Sequence, residues 1–274
     1  MQTVYDREVT LHSRNVQGRN ALTERAGRAA VFYKPAHARK TQPGAWRRLA
    51  AVALCCGALL CAFRLYGRAR SRFGVQLPVR TVLQNPELPN GCEITSCCEV
   101  LRYLGFAPDK CELADHYLPR SAQWYGADPD EVYMGNPHLD DGSPETGYYC
   151  FAGPIVQAAN AYLAVQGSSC RAYDLTGAEE AELASQLQAG NPVIFWATLH
   201  FGDIQHDPCG EYDLPGGRRH EVLHTLHCMV LCGMDDQNFV VADPLDFNRV
   251  VPRVQFMKIY RQLGRRAVVI KKDS

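Results

Sequence analysis

The sequence lacks several patterns that would indicate a function at once. It contains no internal repeat, no low-complexity array, no glycine-rich phosphate-binding loop and no C-x-x-C pair. Its longest run of apolar and small residues, 49–63, is shorter than the roughly 20 residues that a full membrane span needs. What remains is an ordinary composition, with 46% hydrophobic and 21% charged residues among 274, and this leaves room for one sizeable core.

The formal net charge of zero conceals two oppositely charged parts of the chain. Residues 1–75 contain 14 Lys and Arg residues against three acids, a net charge of +11, and the remainder carries −11. Residues 1–48 also lack a strong apolar periodicity, which predicts a basic, disordered N-terminal region attached to an acidic domain. Positive charge alone is weak evidence for nucleic-acid binding, so we expect no nucleic-acid partner.

The apolar run and its flank, residues 49–66, predict a hydrophobic membrane anchor or signal segment. Trp46, Tyr66 and the neighbouring arginines could extend the short run across a membrane, because aromatic rings and arginine stems reach its interfaces. A cleaved signal peptide and a buried soluble helix are the alternatives, although no A-x-A cleavage site stands out. Arginines flank both ends and give no orientation. The long basic N-terminus is compatible with an extracytoplasmic domain, and we expect a membrane-anchored protein of that kind.

Cysteine is abundant, with 12 residues, nine of which follow the apolar run. An odd number cannot pair completely, and the eight that remain beside Cys92 show no framework spacing. We therefore expect mostly buried free thiols rather than disulfides.

Residues 76–274 have the pattern of one mixed domain. Apolar periodicities predict three helices and several strands. The predicted helices are 92–104, 154–165 and 176–188, and the predicted strands are 75–83, 192–199, 226–234, 239–242 and 266–271. Thr176 and Glu179 have the spacing of a capping box for the third helix. Residues 119–150 predict a long surface loop, and a loop of that length is usually functional or disordered. Residues 203–221 are polar and turn-rich. Helices that precede most of the strands indicate the α+β class.

Cys92 is the strongest candidate for a nucleophile. It follows an Asn90-Gly91 turn and occupies the first turn of the first predicted helix. The free N–H groups and the positive end of the helix dipole favour a thiolate there, and the thiolate is the reactive form. Gln84, eight residues upstream, could supply a side-chain amide that joins the Cys92 backbone N–H in an oxyanion hole.

His227 is the matching candidate for a base. It begins an apolar strand, where a solvated histidine would be out of place, and Asp243 ends the next strand. A hairpin about Asp236 and Gln237 brings residue 243 opposite 229 or 230, close to His227. The carboxylate could then accept the Nδ1–H of His227 and fix its tautomer, although Asp before Pro is also a common turn residue.

A metal site is the rival interpretation of the same region. The side chains that zinc could use are His200, His206, His220, His224, His227, Cys228 and Cys232. However, His220 and His224 lie in a predicted loop without C-x-x-C pairing, and strand alternation turns Cys228 away from His227. We predict no metal and no cofactor, and we assign no role to His220 or His224.

Four stretches of the sequence match the pattern of one enzyme family. They are LPVRTVLQNPELPNGCEITSCCEVLRYLGF, YYCFAGPIVQAANAY, GNPVIFWATL and HCMVLCGMDDQNFVVADP. Over about residues 76–270 the chain resembles the bacterial double-glycine-peptidase-like cysteine peptidases, which are papain-like relatives of the bacteriocin leader-processing domain. The resemblance implies a papain-like fold, with a helical half facing a β-sheet half and the site in the cleft between them. It also implies Cys92 as nucleophile, His227 as base, Asp243 as its orienting acid and Gln84 as the oxyanion-hole partner.

These features together predict a membrane-anchored cysteine peptidase that acts on a peptide or protein substrate. Two alternatives stay open. One is a papain-like amidase or acyltransferase that acts on cell-wall peptide or a thioester, and the other is a non-catalytic surface binding module that could hold zinc. No transporter domain accompanies the four stretches, so the resemblance does not imply cleavage of a leader at a double glycine.

Overall fold

The structure is a computed structural model that describes residues 52–58 and 74–273. The chain divides into two units between residues 55 and 56, and the domain described below lies in the second. Residues 52–58 are helical, and no helix in the described part of the chain is long and apolar enough to cross a membrane. The basic region 1–48 and most of the segment 49–66 lie outside the described residues. The membrane anchor and the extracytoplasmic location therefore stay predictions.

The domain downstream contains five α-helices and nine β-strands within residues 74–273. The helices are α1 (Cys92–Tyr103), α2 (Lys110–His116), α3 (Ala152–Val165), α4 (Glu180–Gln188) and α5 (Arg253–Gln262). The strands are β1 (Val75–Gln76), β2 (Cys170–Asp174), β3 (Val193–Thr198), β4 (His206–Asp213), β5 (Arg219–Leu223), β6 (Leu226–Met234), β7 (Asn238–Ala242), β8 (Arg249–Pro252) and β9 (Ala267–Lys272). A short 3-10 turn, Leu199–Phe201, follows β3.

Seven of these strands form one antiparallel sheet. Its order is β2-β9-β3-β6-β7-β8, and β1 pairs with the C-terminal end of β6, while β4 and β5 form a separate hairpin. The sequence of β6 explains its central place, because a continuous apolar run suits a strand that is covered on both faces. The combination of helices with antiparallel strands confirms the predicted α+β class.

The two faces of the sheet belong to different cores. Cys228 and Val230 of β6 pack in the core that includes residues of α1, α2 and α3, whereas Met229 and Leu231 pack in the core that includes residues of α4 and α5. This alternation follows from the two-residue period of a strand. Because α1 shares the core of Cys228, the start of α1 reaches β6 beside His227.

Two of the three predicted helices agree with the structure, and the third begins later than expected. Helices α1 and α3 match the predicted 92–104 and 154–165 to within two residues. Helix α4 starts at Glu180 rather than at residue 176, and no side chain caps it, so the capping box is wrong. The backbone N–H of Thr176 instead donates to the carboxylate of Asp174 at 2.7 Å. This local turn competes with the helix and shortens it.

The other differences are short elements whose sequence signal is weak. The prediction omits α2, β2, β8 and α5, and it places a loop where β4 and β5 form a hairpin. The first predicted strand ends at Gln76 instead of residue 83, because Pro78 has no N–H to donate to a ladder. Residues 119–150 agree with the prediction of a long loop, since they contain only isolated bridges.

The cysteines agree with the expectation of free thiols. All ten cysteines whose side chains the structure describes are unpaired. Six of them are buried, including Cys92 and Cys228. The domain is therefore held together by its two apolar cores rather than by disulfides among the described residues.

The turn before α1 depends on the absence of a side chain at Gly91. Its backbone is not left-handed, with φ of −105°, so the requirement is one of space. A Cβ at this position would lie 2.6 Å from the Cβ of Leu88. Leu88 is fully buried and cannot easily move aside. The contact between these two residues thus fixes the backbone immediately before Cys92.

We expect Gly91→Ala to lower the free energy of unfolding by about 1–3 kcal/mol, because it overpacks a buried contact. Gly202→Ala is the matched control, since its Cβ would meet only the Leu199 carbonyl oxygen at 3.5 Å. Denaturant unfolding of both variants measures the difference. Equal stability of the two variants would show that the space between residues 88 and 91 is not limiting.

Candidate active site

A cavity of about 330 Å³ is lined by most of the catalytic residues predicted from the sequence. Gln84, Cys92 and His227 all line it, and Asp243 is joined to it through a hydrogen bond to His227. Its other lining residues are Pro89, Asn90, Asp140, Gly142, Thr146, Gly147, Tyr148, Tyr149, Leu199, Asp207, Leu223, His224, Leu226 and Leu245. The long loop 119–150 therefore supplies one wall, while the start of β6 and the segment before α1 supply the others.

Cys92 is the first residue of α1 and is only 7% exposed. The backbone N–H of Cys228, the residue after His227, donates to its Sγ at 3.4 Å. One helical turn further, the Ser96 hydroxyl donates to the Cys228 carbonyl at 3.3 Å. Strand β7 pairs with β6 only from Val230 onward, so α1 satisfies the backbone of Cys228 instead. These two bonds set the position of the thiol relative to β6.

Burial raises the pKa of the Cys92 thiol well above its ordinary value. Neighbouring Glu93 and Cys228 add to this, and the Cys228 N–H opposes it only in part. The sequence predicted that the helix terminus would favour the thiolate, but the cost of desolvating the charge is larger. In the resting site the sulfur is therefore a protonated thiol.

His227 and Asp243 form a buried pair. Val230 lies opposite Ala242 in the hairpin of β6 and β7, which places residue 243 next to 229, as the sequence predicted. The Nε2 atom of His227 lies 2.7 Å from Oδ1 of Asp243, and the two side chains are 2% and 1% exposed. The expected partner was Nδ1, so the bonded nitrogen is a correction. It leaves Nδ1 as the ring nitrogen available for proton exchange with a nucleophile.

Burial also lowers the pKa of His227, and the positive charge of Arg249 acts in the same direction. The resting imidazole is therefore neutral. A neutral base and a neutral thiol that line the same cavity are a different starting point from a preformed ion pair, because charge separates only when the proton moves.

Two further contacts hold the Asp243 carboxylate. The backbone N–H of Leu245 donates to Oδ1 at 2.9 Å, and the guanidinium of Arg249 pairs with Oδ2 through Nη2. The other terminal nitrogen of Arg249, Nη1, lies 3.1 Å from Nδ1 of His200. Sequence reasoning missed Arg249, since β8 was not predicted and nothing in its local pattern points to Asp243.

Gln84 is held in place by its own backbone as well as by its side chain. Its amide Nε2 donates to the Pro89 carbonyl at 2.6 Å, and its backbone N–H donates to the Pro244 carbonyl at 2.8 Å. Nζ of Lys110 donates to the Gln84 carbonyl at 2.7 Å and pairs with Glu87. The amide is thereby oriented with one of its two N–H groups engaged and the second available. Lys110 gave no signal in the sequence.

Glu93 is a buried acid directly after Cys92. Its Oε1 accepts the Cys150 N–H at 3.4 Å, and Oε2 has no hydrogen-bond partner among the described residues. Burial raises the pKa of Glu93 to about 8. The carboxyl is therefore largely protonated at neutral pH. This residue was also missed.

The two histidines without an assigned role have different surroundings. His220 is buried, and its Nε2 lies 2.9 Å from the Tyr149 hydroxyl, so it ties the β4–β5 hairpin to the end of the long loop. His224 is exposed and lines the cavity, with Nδ1 3.6 Å from the Asp207 carboxylate. In the described part of the chain, no three His, Cys, Asp or Glu side chains are placed to hold one metal ion. The zinc alternative therefore gains no support from the geometry.

A buried thiol at the start of a helix, a His–Asp pair on adjacent strands and an oriented amide meet here between helices and an antiparallel sheet. That combination is typical of papain-like thiol hydrolases. The comparison with known families agrees: the chain belongs to the Peptidase C39-like family, whose model matches residues 76–268.

Two relatives cover most of the domain. The uncharacterised protein YvpB of Bacillus subtilis (strain 168) is 33% identical over 208 residues, 73% of this chain and 78% of that protein. A crystal structure from Bacillus anthracis, solved as a candidate C39-like peptidase, is 30% identical with a TM-score of 0.63 and covers 73% of this chain and 98% of that one. A double-glycine-motif protease from an AMS/PCAT transporter, solved with a leader peptide, matches at 14% identity over 72% and 91% of the two chains. Its TM-score is 0.38.

The raised pKa of Glu93 predicts how stability depends on pH. Above about pH 4.5 the unfolded chain loses this proton, whereas the folded protein keeps it until about pH 8. Folding then takes up a proton, so this group makes stability fall as pH rises through that window. Glu93→Gln removes the titration. One pKa unit corresponds to about 1.4 kcal/mol. Between pH 5 and pH 8, we therefore expect the free energy of unfolding to fall further in the wild type than in Glu93→Gln, by at least about 2 kcal/mol.

Denaturant unfolding at several pH values measures this difference. Glu112→Gln is the control, because Glu112 is exposed in the first turn of α2. Parallel stability curves for the wild type and Glu93→Gln would contradict a protonated Glu93.

Proposed function

We propose that the protein is a cysteine peptidase in which Cys92 is the nucleophile, His227 the base, Asp243 the orienting acid and Gln84 an oxyanion-hole donor. The observation that carries the proposal is that Gln84, Cys92 and His227 line one cavity while Asp243 holds His227 at 2.7 Å. Membership of the Peptidase C39-like family supports the same reaction class.

The first step forms an acyl-enzyme. Nδ1 of His227 takes the proton from the Cys92 thiol as Sγ attacks the peptide carbonyl, so the negative charge moves to the carbonyl oxygen. Asp243 stabilises the resulting imidazolium, and its burial makes this attraction stronger than it would be in water. Because burial disfavours both the thiolate and the imidazolium at rest, the proton transfer accompanies the attack instead of preceding it.

The oxyanion is stabilised by N–H donors. The second Nε2 hydrogen of Gln84 and the backbone N–H of Cys92 are the proposed donors, and the N-terminus of α1 adds its dipole. Lys110 acts at one remove, since its bonds to the carbonyls of Leu83 and Gln84 fix the segment that carries the amide.

The remaining steps return the enzyme to its starting form. The imidazolium of His227 gives its proton to the leaving amine as the C–N bond breaks. A water molecule then attacks the thioester while His227 accepts one of its protons. When the C–S bond breaks, that proton returns to Cys92 and the carboxylic acid is released.

The direct test is digestion of a peptide library by the full-length protein, with mass spectrometry of the new termini. We expect the wild type to produce fragments that Cys92→Ala does not. Fragments common to both proteins would come from a contaminant, and a library left intact by the wild type would contradict peptidase activity. Hydroxylamine added to the same digest tests for the acyl-enzyme, because it attacks the thioester carbonyl, releases the Cys92 thiol and yields hydroxamate products.

We also expect His227 to control the reactivity of Cys92. With iodoacetamide at pH 7, the Cys92-containing peptide should be alkylated at least about tenfold faster in the wild type than in His227→Ala. Without the base, alkylation should recover only at high pH, because burial raises the pKa of the Cys92 thiol. His116→Ala, an exposed histidine at the end of α2, is the control. Equal rates in the wild type and His227→Ala would remove His227 from the proposed mechanism.

A further inference from the structure

The carboxylate of Asp243 is almost completely enclosed, yet it has a partner for each oxygen. Oδ1 faces Nε2 of His227 and also accepts the Leu245 N–H, whereas Oδ2 pairs with the guanidinium of Arg249. A carboxylate that is 1% exposed needs such partners to remain ionised. Among the residues that the structure describes, Arg249 is the only Arg or Lys that pairs with this carboxylate.

Arg249 reaches Asp243 from a different strand. It begins β8, where it lies opposite Val241 of β7, and its side chain passes the Met229 sulfur at 3.8 Å on the same face of the sheet. Asp243 follows β7 by one residue. The pairing of β7 with β8 therefore places a positive charge directly behind the carboxylate that faces His227.

The second terminal nitrogen of Arg249 fixes its direction. Nη1 lies 3.1 Å from Nδ1 of His200, in the 3-10 turn after β3. A guanidinium can only donate, so Nδ1 of His200 is the acceptor in this contact. Its backbone is left-handed, with φ of 56°, an uncommon conformation for a residue other than glycine. One planar group thus joins Asp243 to a turn on another strand.

We propose that Arg249 is a positioning residue of the candidate active site: its guanidinium orients the Asp243 carboxylate towards His227 and keeps the His227 imidazole neutral until the thiol proton arrives. This inference rests on the proposed function for its catalytic consequence. The effect on His227 follows from the contacts themselves and can be measured without turnover.

The two roles of Arg249 have separate physical causes. Orientation depends on the planar fork, since Nη2 holds Oδ2 while Nη1 holds His200, and a lysine has only one nitrogen to offer. Neutrality depends on charge, because the cation offsets the negative carboxylate that would otherwise favour an imidazolium. Arg249→Lys should retain the second role and lose part of the first, whereas Arg249→Gln loses both.

The first measurement is the titration of the His227 imidazole by NMR in full-length protein labelled with ¹⁵N-histidine, in a Cys92→Ala background. Without the Cys92 thiol, the titration of His227 is not coupled to that of the thiol. We expect Arg249→Gln to raise the pKa of His227 by one unit or more, and Arg249→Lys to leave it close to that of the parent. An unchanged pKa in a folded Arg249→Gln variant would overturn the proposal.

Arg253→Gln is the matched control. Arg253 pairs with Glu180, and its side chain is 28% exposed compared with 25% for Arg249, but it lies at the start of α5. It should not move the His227 titration. Thermal unfolding of each variant identifies any loss of structure. If Arg249→Gln does not fold, Arg249→Lys still decides the question. A raised pKa of His227 in Arg249→Lys would contradict the role of charge, because the lysine keeps the positive charge.

The second measurement uses proteins with Cys92 intact and a peptide that the wild type cleaves. We expect Arg249→Gln to lower kcat by about 10- to 100-fold with little change in KM, and Arg249→Lys to recover part of the loss. A change confined to KM would overturn the positioning role. If no peptide is cleaved by the wild type, the proposed function fails, while the NMR titration still decides whether Arg249 controls His227.

Discussion

The packing of α1 against β6 is the contact on which the candidate site depends. Cys92 belongs to the helix and His227 to the strand, so their proximity is a property of the tertiary fold and not of any local motif. Two side chains of α1, those of Cys92 and Ser96, lie one turn apart and form hydrogen bonds with the backbone of Cys228. The buried Leu88 beneath Gly91 sets where the helix begins. Small shifts of α1 along β6 would therefore separate the thiol from the imidazole before they affected the rest of the core.

Two charged residues that were not predicted from the sequence hold the proposed catalytic residues in position. Lys110 bonds the backbone of Gln84, and Arg249 bonds the carboxylate of Asp243. Each comes from a short element, α2 or β8, whose role is to bring a cation to a site assembled by longer elements. A cation in such a place serves two purposes at once, because it satisfies a buried acceptor and adds a fixed charge. For that reason the loss of Lys110 or of Arg249 is not expected to behave like the loss of an ordinary surface ion pair.

The parts of the fold that could be predicted are those with long apolar periodicities. Helices α1 and α3 and the hairpin of β6 and β7 have them, and that hairpin correctly placed Asp243 near His227. The short elements α2 and β8 have little periodicity, so Lys110 and Arg249 had no assigned position. The choice of Nε2 over Nδ1 depends on side-chain rotation, which a strand register does not determine. The family resemblance implied the same roles that the residue pattern had indicated for the residues that were found, but it contained nothing about those that support them.

The ionisation of the thiol is where a local rule and the tertiary environment disagree, and their magnitudes decide the outcome. A helix terminus stabilises a charge by about 0.3–1 kcal/mol, and up to about 2 kcal/mol when partly buried. Removal of a charge from water costs several kcal/mol unless it is fully compensated. Cys92 has one backbone N–H as compensation, and the neighbouring Glu93 raises the pKa of its thiol further. The thiol therefore keeps its proton at rest, and the positive charge that stabilises a thiolate must arise on His227 during the attack. In such a site the strength of the base matters less than its alignment, which is set by Asp243 and the residues that hold it.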